Sequence, residues 1–72
     1  MHRVDRLAGT QERVLSCIRR HIAYHGHAPT IEQIGTAVGM RSRASVHYQL
    51  TELEAKAAIV REPGRWRGIR LA

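Results

Sequence analysis

The sequence predicts a mainly α-helical domain that ends in a two-stranded β-hairpin. Three observations predict this fold. Apolar residues recur at helical spacing in three segments, glycine or proline separates these segments, and the final stretch changes to short strand-like runs around a Pro-Gly pair. Because the chain has 72 residues, it has room for a single domain. We expect residues 1–72 to form that domain, with residues 1–6 flexible.

The first predicted helix extends from about Thr10 to His25, with Thr10 as its N-cap and Gly26 just beyond its end. Four apolar residues share one face of this helix: Val14, Leu15, Ile18 and Ile22.

The second predicted helix follows Pro29 and begins with a capping box formed by Thr30 and Gln33. It is short because Gly39 ends it. Its expected buried residues are Ile31, Ile34, Ala37 and Val38.

The third predicted helix begins after Ser42, a good N-cap, and continues to about Ala57. Only residues 39–41 separate it from the second helix, and a glycine-containing turn of this length is typical of a helix-turn-helix. One apolar stripe is expected to be buried: Val46, Leu50, Leu53 and Ala57.

The last segment predicts strands at residues 59–61 and 68–71, joined by a turn that contains Pro63 and Gly64. Three helices followed by a hairpin form a winged helix-turn-helix. Trp66, between the strands, is expected either to cover the small core or to pack against a ligand.

The charge of the chain points to a polyanionic partner. The formal net charge is +6, and eleven of the twelve cationic residues are arginine. A nucleic acid and an anionic membrane both fit this charge, but the guanidinium fork favours phosphate and base edges. No apolar run is long enough to span a membrane, and a single cysteine suits a reducing compartment. Because no apolar stretch follows residues 1–6, we expect no signal peptide. We therefore expect a soluble, cytoplasmic protein.

The third helix turns a set of small, polar and aromatic residues away from its apolar stripe: Ala44, Ser45, His47, Tyr48 and Thr51. Arg41 and Arg43 flank its N-terminus, whereas Glu52 and Glu54 lie in its second half. This layout suits a helix that enters the major groove by its leading half. The alternative is an ordinary solvated helix face. In the hairpin, Arg61, Arg65, Arg67 and Arg70 would hold phosphates, or alternatively protect a strand edge from aggregation.

Cys17, His21 and His25 lie four residues apart along the first helix, a spacing compatible with zinc ligation or a redox switch. The alternative, which we favour, is that the histidines suit the negative end of the helix dipole. We predict no metal, no cofactor and no small-molecule substrate. No nucleophile with an oxyanion hole is recognisable, so we predict a protein that is not an enzyme.

Several stretches resemble the N-terminal DNA-binding domain of the LexA repressor family, the regulators of the bacterial DNA-damage (SOS) response. The resemblance covers about residues 7–71 and is greatest to the actinobacterial branch. The stretches that carry it are Arg19-Arg20-His21-Ile22, Pro29-Thr30-Ile31-Glu32-Gln33-Ile34-Gly35, Val38-Gly39-Met40-Arg41-Ser42, Ser45-Val46-His47-Tyr48-Gln49-Leu50 and Arg67-Gly68-Ile69-Arg70-Leu71.

The resemblance implies a repressor that binds a palindromic operator in double-stranded DNA, as a homodimer on DNA or with a partner protein. It also implies a bacterial, nucleoid-associated location. It implies that five residues read bases: Ser42, Ala44, Ser45, His47 and Tyr48. It implies that six others hold the DNA backbone: Arg41, Arg43, Thr51, Arg65, Arg67 and Arg70. The alternative function is a winged-helix module that docks on another regulator or on RNA polymerase.

Three departures from the family qualify these expectations. Family repressors continue into a self-cleaving domain with a serine–lysine dyad. The sequence contains no such domain, so we expect no autoproteolysis. We expect the chain to be either a stand-alone small regulator or a fragment of a longer protein. Ala44 replaces a residue that is commonly polar, so the operator is expected to differ. Ala57 stands where the family often has a glycine. An alanine is costly at that position if the backbone there has a positive φ.

Overall fold

The computed structural model describes residues 9–62 and 68–72. Three helices come first, α1 (Gly9–His25), α2 (Ile31–Val38) and α3 (Arg43–Ala55), and two strands follow, β1 (Ile59–Arg61) and β2 (Ile69–Leu71). The strands pair in an antiparallel sheet. The predicted winged helix-turn-helix architecture is confirmed. The predictions for residues 1–6, for Trp66 and for the tip of the hairpin concern residues outside the described part of the chain.

The core forms where the apolar faces of the three helices and β1 meet. Burial of each such aliphatic side chain contributes roughly 1.5–3 kcal/mol, so this small cluster is the main stabilising element. Its buried members from the helices are Val14, Leu15, Cys17, Ile18, Ile34, Val38, Val46, Leu50 and Leu53, and Ile59 closes it from β1. Ile22 and Ile31, both predicted to be buried, are half-buried and pack against this cluster.

The start of α1 differs from its prediction. The helix begins at Gly9, so Thr10 lies inside the first turn, and the prediction that Thr10 is the N-cap was wrong. Gln11, in the same turn, is a buried polar residue of α1. Its Oε1 accepts a hydrogen bond of 2.7 Å from Lys56 Nζ, which joins the start of α1 to the end of α3.

The capping box of α2 is confirmed. Thr30 Oγ1 accepts from the Gln33 N–H at 3.0 Å, and Gln33 Oε1 accepts from the Thr30 N–H at 2.9 Å. Gly39 ends the helix with a φ of 79°, which a glycine adopts at little steric cost. The prediction that Ala37 is buried was wrong. This helix of two turns presents only a narrow face to its neighbours, and Ile34, Gly35 and Val38 occupy it.

The turn between α2 and α3 is closed by a close backbone approach. The Gly35 carbonyl accepts a hydrogen bond of 2.8 Å from the Met40 N–H. A Cβ atom added to Gly35 would lie 2.8 Å from the Met40 carbonyl oxygen, so a side chain at this position would push the turn away from α2. Arg13 Nη2 donates to the carbonyl of Val38 at 2.7 Å and holds the same end of α2 against α1.

The end of α3 also differs from its prediction. The helix ends at Ala55, and the prediction that it extends to a buried Ala57 was wrong, because Ala57 is exposed and has a φ of 62°. The Ala58 N–H donates to the Leu53 carbonyl at 2.9 Å, and the Ala57 N–H donates to the Glu54 carbonyl at 3.0 Å. These two bonds form a Schellman motif with Ala57 at its left-handed position. A glycine at this position would avoid the steric cost of a Cβ atom at positive φ.

The hairpin packs on α3 through one face. Ile59 pairs with Leu71, Val60 with Arg70, and Arg61 with Ile69. Because side chains alternate along a strand, Ile59 enters the core while Val60 and Arg70 share the opposite, outer face. Within the described residues, no helix is sufficiently long and apolar to cross a membrane.

Candidate nucleic-acid interface

The N-terminus of α3 is fixed by Ser42. This residue has extended backbone dihedrals, and its Oγ accepts hydrogen bonds from the N–H groups of Ala44 at 3.1 Å and Ser45 at 3.4 Å. The predicted N-cap is therefore confirmed. The hydroxyl keeps its own hydrogen for donation, so capping leaves Ser42 able to donate to a ligand. The remaining first-turn N–H groups give this end of the helix a partial positive charge.

The five residues predicted to read bases lie on the exposed surface of the first part of α3 and its cap: Ser42, Ala44, Ser45, His47 and Tyr48. Tyr48 is 61% exposed, although it is a large aromatic residue. Val46 and Leu50 point to the opposite side and are buried. The arrangement gives one continuous surface of hydroxyl, imidazole, phenol and methyl groups, which together can donate to, accept from and contact base edges.

Two arginines predicted to hold phosphates flank this surface, and they differ in their surroundings. Arg41 is exposed and forms no ion pair with any residue that the structure describes. Arg43 Nη1 lies 3.1 Å from Glu32 Oε2, and both side chains are largely exposed. This ion pair connects the first turn of α2 to the start of α3. A phosphate would have to compete with Glu32 for the guanidinium of Arg43.

Thr51 is exposed, and its hydroxyl donates to the carbonyl of His47 at 3.0 Å. Its hydrogen is therefore used inside the helix, and a phosphate contact from this hydroxyl would require a change of rotamer.

The hairpin presents Arg70 on its outer face, where its Nε lies 2.7 Å from Glu62 Oε2. Arg70 is largely exposed, whereas the Glu62 side chain is about one-third exposed. This cross-strand pair orders the guanidinium but also neutralises part of its charge. Arg61, also predicted to hold a phosphate, is half-buried in β1. Arg65 and Arg67, two further wing arginines predicted to hold the DNA backbone, lie outside the described residues.

Two open grooves border the exposed face of α3. A groove of about 700 Å³ lies along the helix-turn-helix and includes Glu32, Thr36, Arg41 and Arg43 in its lining. A second groove, of about 470 Å³, lies on the side of α1 and is lined by Thr10, Met40, Ala44, Ser45, Tyr48 and Gln49. The exposed face of α3 is thus flanked by open depressions and is accessible to a large ligand.

The histidines of α1 form a cluster remote in sequence from α3. The ring centroids of His21 and His25 are 4.3 Å apart, and that of His27 lies 5.4 Å from the ring of His21. His21 Nδ1 donates to the carbonyl of His27 at 2.9 Å. In the described ranges, no three histidine, cysteine, aspartate or glutamate side chains are arranged to hold a metal ion.

Cys17, which the sequence grouped with these histidines, is buried in the core. Burial raises the pKa of its thiol, and the positive charge of Arg20 opposes this shift only in part. The thiol therefore stays protonated at neutral pH, a state unfavourable for nucleophilic attack or metal ligation.

The helix-turn-helix and its hairpin agree with the family that a comparison with known proteins identifies. A sequence model described as the LexA DNA binding domain matches residues 4–68, nearly the whole chain. The chain belongs to this family. The family assignment agrees with the resemblance carried by the Thr30–Ser42 region, which lies within the matched residues.

The chain is also similar in sequence to LexA repressors of several bacteria. The chain is 45% identical over 69 residues to the LexA repressor of Aromatoleum aromaticum, and the aligned region covers 96% of this chain and 34% of that protein. It is 41% identical over 63 residues to the LexA repressor of Corynebacterium efficiens, with 88% of this chain and 27% of that protein covered. The chain therefore spans about a third or less of these LexA repressors.

Three polar residues that sequence reasoning did not assign lie at or beside the candidate interface. Glu32 and Glu62 pair with Arg43 and Arg70, and Gln49 lines the groove beside Tyr48. The sequence signals for the acids are indirect. Glu62 directly follows β1, and Glu32 is the second residue of a capped helix, so each is held near the surface. Their arginine partners are not predictable from local spacing.

Proposed function

We propose that this domain is the operator-reading part of a LexA-like repressor, and that α3 enters the major groove of double-stranded DNA. The observation that carries the proposal is the common exposure of Ser42, Ala44, Ser45, His47 and Tyr48 on the leading part of a capped helix. The net charge of +6 supports a polyanionic ligand.

In this proposal, two classes of contact have separate roles. Ser45, His47 and Tyr48 contact base edges and provide sequence preference. Arg41, together with Arg43 and the wing arginines, contacts phosphates and provides affinity for any sequence. If about five phosphates are engaged, the logarithm of affinity falls with the logarithm of salt concentration at a slope of about −4 to −5.

A single domain reads only one half-site. We propose that two copies bind an inverted repeat, related by the two-fold axis of the operator, either as a homodimer on DNA or with help from a partner protein. Repression then follows from occlusion of a promoter. The proposal assigns DNA reading alone to these residues, and self-cleavage lies outside it.

The first experiment selects bound duplexes from a random pool and measures binding of the recovered sequence against a scrambled duplex at several salt concentrations. Recovery of an inverted repeat supports the proposal. If the domain binds no duplex even at low salt, DNA reading is overturned and docking on a protein is favoured.

A second experiment separates base contacts from phosphate contacts. His47→Ala and Tyr48→Ala should lower the ratio of specific to random affinity roughly 10-fold each, because a good base contact is worth about 1–3 kcal/mol. Arg41→Ala should weaken both duplexes alike and reduce the salt slope by about 1. Arg19→Ala, an exposed arginine of α1 outside the helix-turn-helix, is the control and should change the ratio little. Equal losses on both duplexes for all the α3 variants would contradict base reading.

A further inference from the structure

Gln49 presents an unsatisfied acceptor beside the surface assigned to base reading. Its Oε1 is buried, and no group in the described parts of the chain donates a hydrogen bond to it. Buried polar side-chain atoms are hydrogen-bonded in the large majority of cases, and an exception often indicates a functional role or an ordered solvent molecule. Gln49 Oε1 is the one such atom among the described residues.

The position of Gln49 connects this acceptor to α3's exposed face. Gln49 lines the groove of about 470 Å³ that also contains Ala44, Ser45 and Tyr48, three of the five residues assigned to base reading. Ser45 lies one helical turn before Gln49, so their side chains are neighbours along the same side of α3. A duplex that contacts Ser45 and Tyr48 therefore also approaches the carboxamide of Gln49.

The chemistry of the carboxamide selects among the bases. It carries one acceptor and one pair of donors in a fixed plane, and adenine presents the complementary N6 donor and N7 acceptor in the major groove. Guanine presents two acceptors there, thymine an acceptor and a methyl group, and cytosine a donor alone. Adenine is thus the base that can satisfy both ends of this side chain.

The missing partner also makes the movement inexpensive. Turning the carboxamide from its buried position into the groove breaks no hydrogen bond of Oε1, because none is present. The groove is open, so the rotated side chain has space in which to meet a base edge.

We propose that Gln49 is a further specificity-determining residue, which reads an adenine at the edge of the half-site on the α1 side of α3. This inference rests on the proposed function, since it requires α3 to lie in the major groove. It adds a base contact beyond the five residues of the leading part of the helix.

The test combines a protein variant with a modified duplex. Gln49→Leu removes the donor and the acceptor while keeping a side chain of similar volume. We expect it to bind the selected operator about 10-fold more weakly, to lose the adenine preference at one position of each half-site, and to keep its affinity for random duplex. Replacing that adenine by purine, which lacks the N6 amino group, should weaken wild-type binding but leave Gln49→Leu binding unchanged.

Gln49→Glu is a second, near-isosteric variant. It keeps the acceptors but removes the donors that adenine N7 requires, so it should also lose the adenine preference. The purine substitution with the wild-type protein needs no variant, so it tests the proposal even if a substitution impairs folding. An unchanged base preference at every position in Gln49→Leu, or no effect of purine on the wild type, overturns the role of Gln49 while DNA reading stands. Absence of any duplex binding by the wild type overturns the proposed function itself, and this inference with it.

Discussion

Arg13 Nη2 donates a hydrogen bond of 2.7 Å to the carbonyl oxygen of Val38, the last residue of α2. The last carbonyls of a helix have no partner within the helix and carry a partial negative charge, so a guanidinium is well suited to this position. The bond links α1 to the point where α2 ends and the turn to α3 begins. Arg13 is thus a structural support for the helix-turn-helix, although the sequence alone marks it only as one cation among many.

Replacing Arg13 by alanine should destabilise the fold. A hydrogen bond to a charged group contributes about 1.5–3 kcal/mol, and partial exposure lowers this, so we expect a loss of about 1 kcal/mol in the free energy of unfolding. For a domain of this size, that loss lowers the Tm by roughly 4–8 °C. Arg19→Ala removes the same charge from an exposed position on α1 and should change the Tm much less. Equal shifts in the two variants would mean that net charge, not this bond, is responsible.

Ala57→Gly should stabilise the protein. Ala57 has a φ of 62° at the left-handed position of a Schellman motif, where a Cβ atom costs about 1 kcal/mol and glycine avoids that cost. Urea unfolding should therefore give a free energy of unfolding higher by up to about 1 kcal/mol. Ala23→Gly, at an exposed position inside α1, should have the opposite sign, because glycine is unfavourable within a helix. A lower stability of Ala57→Gly would contradict the steric argument.

Sequence periodicity predicted the helices well because each one buries a single stripe, and a glycine marks the ends of α1 and α2. Thr30, Gln33 and Gly39 determine the ends of α2 through contacts within a few residues, and these contacts are encoded in the local sequence. Ala57 was wrongly predicted to be a buried residue of α3 because its small apolar side chain continues the pattern of Val46, Leu50 and Leu53. The pattern carries no information about the sign of φ. Ala37 was misplaced for a related reason, since a short helix buries less than its apolar residues suggest.

The candidate interface was predictable to the extent that it depends on one helix. The exposure of Ser45, His47 and Tyr48 follows from helical geometry once the buried stripe is known. The pairs that modulate the arginines depend on how two elements pack. Glu32 and Arg43 are eleven residues apart, and no local pattern specifies their ion pair.

Glu32→Gln should strengthen binding to any duplex. The variant releases Arg43 from its ion pair and removes a negative charge near the start of α3, so more positive charge faces the phosphates. Since an exposed ion pair contributes about 0–1 kcal/mol, we expect affinity for random and selected duplexes to rise by up to about 5-fold. The gain should shrink as salt concentration increases. Glu54→Gln is the control, because it changes the net charge equally at an exposed position in the last turn of α3. If both variants gain equally, Arg43 is not the group released.

Ionisation of the Cys17 thiol should lower the free energy of unfolding at alkaline pH. Burial raises the pKa of the Cys17 thiol in the folded protein, so the unfolded chain loses this proton at a lower pH than the folded chain. Below the unfolded pKa both states are protonated, and the contribution of the buried thiol is complete. As the pH rises from the unfolded pKa through the folded pKa, deprotonation favours unfolding and the free energy of unfolding falls.

The measurement is urea unfolding of the wild type and of Cys17→Ala near neutral pH and at about pH 10, where unperturbed thiols are ionised. Cys17→Ala should be less stable than the wild type near neutral pH, because it removes a buried sulfur, but it should lose less stability between the two conditions. The two proteins differ only at residue 17, so the difference between their alkaline losses isolates the contribution of Cys17. An identical alkaline loss in the two proteins would exclude Cys17 as its source.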